Sequence, residues 1–205
     1  MPSNFQADPQ VPVTGTLHHL SRYQALRSNP DARAFPTPQH IRRDLRILTP
    51  EYFCDRDGQI HVGQIVVHED LIPSLEIIFP ELLKMKFPIT MMVPISAFHW
   101  DDELSMRSDN TSGYNNRFIA STVDTDNPRP SMHAFGRAID LNPRRNPCRS
   151  EGIWVPQGAK YNPERPGTIA RNSSVAALFK DHGYRCGVDW EDPFDPQHVE
   201  LPLAV

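Results

Sequence analysis

Three groups of side chains in this 205-residue chain are of types that do chemistry in combination. They are Ser131-Met132-His133-Ala134-Phe135-Gly136-Arg137-Ala138-Ile139-Asp140, then Asp195-Pro196-Gln197-His198, and a polar loop that ends in Asn115-Asn116-Arg117. A catalytic zinc site takes three imidazole or carboxylate ligands and leaves a fourth position for water. His133, Asp140 and His198 would supply such a set, leaving a net charge of about +1, enough to draw the pKa of a coordinated water toward ~7. His133 is expected on a turn, Gly136 where the backbone passes close to a neighbour without a Cβ, and Asp140 on the strand that follows. Asp195 shares a short segment with His198, which suits a general base that later returns the proton to a leaving amine. Arg117 offers a permanently charged fork of donors for an oxyanion or a substrate carboxylate.

Each group alone also has a plainer reading. A His–Asp pair on a strand is more often a hydrogen-bonded contact than a metal site, Asp-x-x-His recurs by chance, and a lone arginine is usually half of a surface ion pair. Only the combination favours a metal centre. His18, His19, His40, His61, His68 and His99 lack a comparable carboxylate and glycine setting and are read as non-ligands. Glu151 and Glu164 could in principle serve as the paired carboxylates of a glycan-cleaving enzyme, a reading that inhibition by a chelator would count against.

The elements that must position these residues are short. Gln59–Val67 reads as a strand of mostly β-branched residues. Asp70 can cap a helix with Pro73 in its first turn and Leu71, Leu75, Ile78, Phe79, Leu82 and Leu83 on one face, kinked at Pro80. Pro88–Phe98 alternates as a strand, Asp101–Asn116 reads as a long loop, and Arg117–Thr122 and Arg137–Leu141 are further strand candidates. Asn172 or Ser173 can cap a helix through Val175, Leu178 and Phe179 to Gly183. Strands and helices in irregular order indicate an α+β fold around a small, mainly antiparallel sheet flanked by helices. Residues 1–42, proline-rich and polar apart from a short helix around Leu17–Leu26, are expected to form an arm, and 43–205 the single domain.

Composition narrows the function. The 21 prolines, about twice the usual share, argue against a helical bundle or a clean barrel and for stiff ordered loops. Pro128 and Pro130 before the first candidate ligand, Pro143 after the second, and Pro193 and Pro196 around Asp195 would restrict the ligand-bearing segments in advance. A formal charge of −4 gives no extended cationic field for nucleic acid or anionic membrane. No apolar run reaches the ~18–20 residues that span a bilayer, and the first residues lack the parts of a signal peptide. Synthesis in the cytoplasm without Sec export is therefore expected. Cys54, Cys148 and Cys186 form no Cys-x-x-Cys and are read as free thiols.

The order Ser131-x-His133-x-x-Gly136-x-Ala138-Ile139-Asp140-Leu141-Asn142-Pro143, followed by Gly183-Tyr184, Asp189-Trp190 and Asp195-x-x-His198-x-Glu200, resembles the M15 zinc peptidases, the D-alanyl-D-alanine carboxypeptidase and VanY-like group. Upstream, Phe87-Pro88-Ile89, Asp101-Asp102, Ser105-Met106 and Asn110-Thr111-Ser112-Gly113-Tyr114-Asn115-x-Arg117 are similar to its L-alanyl-D-glutamate endopeptidase branch, so the resemblance covers about residues 43–200. It implies a catalytic domain of the D-Ala-D-Ala peptidase or hedgehog-like type, with one Zn²⁺ on His133, Asp140 and His198. It also implies Asp195 as catalytic acid/base, Arg117 at the substrate, and Ser131, Tyr114 and Trp190 as substrate contacts. The implied substrate is the peptidoglycan stem peptide, met by a monomer at the bacterial cell wall after release from the cell. Cys186-Gly187-Val188 stands where the branch usually has an aromatic residue and two glycines, which leaves the shape of the substrate site open. A catalytically silent zinc module that binds wall peptides or a partner protein is the competing reading, and the free carboxylate of Asp195 argues against it.

Overall fold

The computed structural model describes residues 19–203. Its elements run α1 (Arg22–Ala25), α2 (Gln39–Arg43), β1 (Leu45–Leu48), β2 (Glu51–Cys54), β3 (Gln59–Val62), β4 (Ile65–His68), α3 (Ile72–Lys84), β5 (Met91–Met92), α4 (Asp102–Arg107), β6 (Asn110–Thr111), β7 (Ala138–Asp140), β8 (Cys148–Ser150), β9 (Ile153–Val155), α5 (Ser174–Asp181), β10 (Arg185–Cys186) and β11 (His198–Glu200). The mixture of helix and mainly antiparallel strand agrees with the α+β expectation. The strands do not join one sheet, however. They divide into β1–β4, β2–β3, β5–β6, β8–β9 and the three-stranded β10-β11-β7, and only β5–β6 is parallel. Frequent proline explains the division, because a residue without a backbone donor cannot extend a ladder.

Two apolar clusters fill the interior. In the first, Leu75, Ile78, Phe79 and Leu82 of α3 pack with Ile65 and Val67 of β4, Ile139 and Val199 of the three-stranded sheet, and Val175, Ala176 and Phe179 of α5. Each fully buried Leu, Ile or Phe contributes roughly 1.5–3 kcal/mol. The second holds Leu45, Val66, Met91, Val93, Ile95, Phe98, Trp100 and Tyr114, with Ala25 of α1. The period of two along β4 sends Ile65 and Val67 into one cluster and Val66 into the other, so this strand is buried on both faces.

Several expectations change on packing. Gln59–Val67 is two strands, because Gly63 presses on Met92, where a Cβ would lie 2.7 Å from the Met92 side chain, and the Gln64 amide donates to the Met92 carbonyl. The helix expected from Asp70 begins as a 3₁₀ turn, Glu69–Leu71, in which the Asp70 amide donates to the His68 ring, and α3 continues through Pro80 to Lys84. Pro88–Phe98 is buried along most of its length, so its alternation reflects core position; only Met91–Met92 is strand, and Ile95–Phe98 is a 3₁₀ turn. Asp101–Asn116 is not simply loop: Asp101 caps α4 by accepting from the Leu104 amide, and β6 pairs with β5. Arg117–Thr122 forms no strand beyond an isolated bridge from Phe118 to Pro130, and ends in a 3₁₀ turn. Within Arg137–Leu141, Ala138–Asp140 is strand β7, and Ser173 caps α5 as its type and place predict.

The described part of the N-terminal segment lies against the domain. Leu20 exchanges two hydrogen bonds with the Gln64 amide group at 2.9 and 3.0 Å. The amide of Asn29 donates to the Asn116 side chain, and Thr37 donates to the Ala134 carbonyl. Phe35 meets Phe118 and Phe135 edge-on. Of the expected helix around Leu17–Leu26, Arg22–Ala25 is helical, and Leu17 and His18 lie outside the described residues.

Candidate metal centre and active site

The antiparallel register of β7 and β11 sets Asp140 directly opposite His198, with Ile139 opposite Val199. Cross-strand partners share a face, so both polar side chains emerge on one side of the sheet while Ile139 and Val199 enter the core on the other. His133 comes from the 3₁₀ turn before β7. Ser131 caps that turn, its hydroxyl accepting from the His133 amide, and Gly136 closes it at φ +66°. A Cβ on Gly136 would stand 2.6 Å from Leu45 and 2.8 Å from the His68 amide nitrogen, the close approach expected at this glycine.

These elements bring His133, Asp140 and His198 together, all buried. His133 Nε2 lies 3.2 Å from Asp140 Oδ2 and 3.2 Å from His198 Nδ1, and His198 Nδ1 lies 3.1 Å from Asp140 Oδ1. The outer nitrogens are both engaged. His133 Nδ1 donates to the Gly113 carbonyl at 2.7 Å, and His198 Nε2 donates to Glu200 at 3.0 Å. A carbonyl can only accept, and Glu200 is held below its usual range, against burial, by His198 and Arg185. Both outer nitrogens therefore carry the protons in the neutral rings, and two bare imidazole nitrogens and a carboxylate converge on one point. Such a cluster is repulsive unless a cation sits within it, and partners of this kind on the outer nitrogens orient zinc-bound histidines. The donor set thus fits Zn²⁺. Without metal a proton takes that place: burial favours neutral His198, but its bonds to Asp140 and Glu200 prevail and push it up to about 10. Asp140, though buried, is held far below its usual range by the two histidines.

Asp195 is half-buried, and burial raises its pKa, with the charge of Asp140 adding to the effect and the two histidines opposing it. Its Oδ1 accepts from the Gln197 amide at 3.1 Å. Gly187 permits this placement: its carbonyl accepts from the Asp195 amide, and a Cβ on it would stand 2.2 Å from the Asp195 carbonyl oxygen. The Cys148 thiol is pushed up by burial and then by Asp195 and Asp140, so it stays protonated beside them. All three cysteines are free thiols.

Arg117 faces the same cluster. Burial disfavours its charge, but Asp102, Asp140 and Asp195 outweigh that and hold the guanidinium charged. Asp102 pairs with Arg117 Nε at 2.9 Å and accepts from the Asn115 amide at 3.1 Å. Arg107, on the same stretch, is exposed at the end of α4. Trp190 packs on His198 with ring centroids 5.3 Å apart. Tyr114 lies elsewhere: it is 2% exposed, edge-on to Trp100 in the second cluster, with its hydroxyl on Thr37. Ser131 is likewise buried as a cap. Asp102, Glu200, Gln197 and the Gly113 carbonyl are the supporting groups that spacing did not assign. Asp102 and Glu200 belong to quoted motifs, but their roles depend on folding partners distant in sequence.

Residues 125–201 match the M15 peptidase family model described as D-alanyl-D-alanine carboxypeptidase. The match supports an M15 peptidase. The matched segment contains His133, Asp140, Asp195 and His198, while Arg117 and Asp102 lie before it. No curated protein and no solved structure shows a significant match to the chain. Among the described residues, no helix is long and apolar enough to cross a membrane.

Proposed function

We propose that this chain is a zinc peptidase that hydrolyses an amide bond in the peptide part of peptidoglycan, of the D,D-carboxypeptidase or L-Ala-D-Glu endopeptidase type. The observation that carries the reading is the convergence of His133 Nε2, His198 Nδ1 and the Asp140 carboxylate, with both outer imidazole nitrogens held by other groups. Zn²⁺, when bound there, supplies Lewis acidity and an activated water. Asp195 serves as the general base toward that water and then as the acid toward the departing amine; its raised pKa brings it closer to both tasks. Gln197 holds one carboxylate oxygen, which fixes the direction of the other. Arg117, oriented by Asp102, holds the substrate carboxylate or the oxygen that gains charge on attack. Trp190 forms a wall beside His198.

The test is digestion of muropeptides by the purified protein with equimolar zinc, with and without chelator, followed by mass spectrometry. New amine termini that vanish with chelator are expected, and the masses identify the bond. No release of amine in either condition overturns the reading. The silent binding module predicts that Asp195→Asn changes nothing, whereas the peptidase loses turnover and keeps zinc.

A further inference from the structure

A cleft of about 520 Å³ opens near the loop that follows β7. Its floor is Arg145, whose guanidinium is buried. Two nitrogens fork onto the Asp55 carboxylate at 2.9 and 2.8 Å, and its Nη2 also donates to Thr90 at 3.1 Å. Asp109, buried behind it, accepts from Thr90 and from the Arg144 amide. Gly167 is pressed against this floor at φ +82°, where a Cβ would stand 2.7 Å from the guanidinium. Asp55 and Asp109 thus offset the buried Arg145 and one further charge at most.

Four more cations line the same cleft: Arg56, Arg144, Lys160 and Arg165. All four are exposed, and among the described residues none is in an ion pair. The cleft thus carries five cations against two carboxylates on a chain whose formal charge is −4. Like charges gathered from three separate stretches, 55–56, 144–145 and 160–165, repel one another unless an anion sits among them. Low-dielectric walls concentrate that field on whatever enters. Arginine forks suit oxyanions, and four of the five cations are arginines.

We propose that this cleft binds a phosphate-bearing polyanion, independently of the metal centre. Tetrahedral phosphates present oxygens in several directions at once, which matches cations that approach from different walls. A carboxylate presents two oxygens in one plane. The same chemistry occurs in compact diphosphate groups and in phosphodiester polymers.

The experiment is a titration of the full chain with pyrophosphate, glycerol-phosphate oligomer and citrate, followed by NMR at the amides of Gly158 and Lys160. These positions report on the cleft, so phosphate held at the metal centre is not counted. Saturable binding of a phosphate probe is expected, weakened by added salt and at least tenfold weaker in Arg56→Gln/Arg165→Gln. Tighter binding of pyrophosphate identifies a compact diphosphate ligand; tighter binding of the oligomer identifies a polymer. The two exposed substitutions leave the Arg145 floor intact, and an unchanged melting temperature verifies the fold. Absence of saturable binding, equal affinity for citrate, or unchanged affinity in the double variant overturns the proposal.

Discussion

At the residue scale the centre is a question of where protons sit. His198 is pushed up to about 10 in the metal-free chain, so at pH 7 it holds a proton that Zn²⁺ must displace. Zinc binding at pH 7 is expected to release about one proton. Calorimetry in two buffers of different ionisation heat measures this directly. The sign for the metal-free fold follows: a raised value stabilises the fold fully below the unfolded histidine range, and that contribution is lost as pH rises through about 10. Asp195→Asn should retain zinc and lose about 10²–10⁴ in kcat.

At the element scale, two glycines let the segments approach closely enough to assemble the site. Gly136→Ala puts a Cβ into Leu45 and the His68 amide and occupies a left-handed backbone position, which costs about 1–2 kcal/mol before the clash is added. Thermal melting should show a fall of several degrees, together with weaker zinc binding, since the same turn carries His133. Gly187→Ala acts differently. It forces the Asp195 backbone to move, so turnover should fall more than zinc affinity, read by parallel kinetics and metal titration. The element boundaries were only partly legible beforehand. Ser173 and the amphipathic face of α3 follow local rules, but Gln59–Val67 breaks because of Met92, which reaches it from outside the strand.

Across the whole molecule, charge networks join segments far apart in sequence. Arg145 pairs with Asp55 across the chain, and its hydrogen bonds are the first cause that holds Asp55 below its usual range. A lowered carboxylate stabilises the fold above about pH 4, and that contribution is lost as pH falls through its folded value. The melting-temperature difference between the native chain and Asp55→Asn should therefore be constant near neutrality and shrink in acid. Under the proposed function, zinc should raise the melting point with concentration; a hundredfold excess over Kd stabilises by about 2.7 kcal/mol.

The types and order of His133, Gly136, Asp140, Asp195 and His198 were legible in the sequence, because metal chemistry restricts which side chains can serve and each of the two local groups, 131–140 and 195–198, fits within one short segment. The α+β class was also legible, since short periodic runs and abundant proline exclude the alternatives. Only the tertiary structure decided the rest. The register that faces Asp140 toward His198, the carbonyl of Gly113 and the carboxylate of Glu200 behind the imidazoles, and Asp102 behind Arg117 all depend on how the chain folds back. Tyr114 shows the same limit: the resemblance implied a substrate contact, but the ring is buried edge-on against Trp100. Local sequence specifies which groups are present, whereas hydrogen bonds and burial between distant segments determine which of them meet.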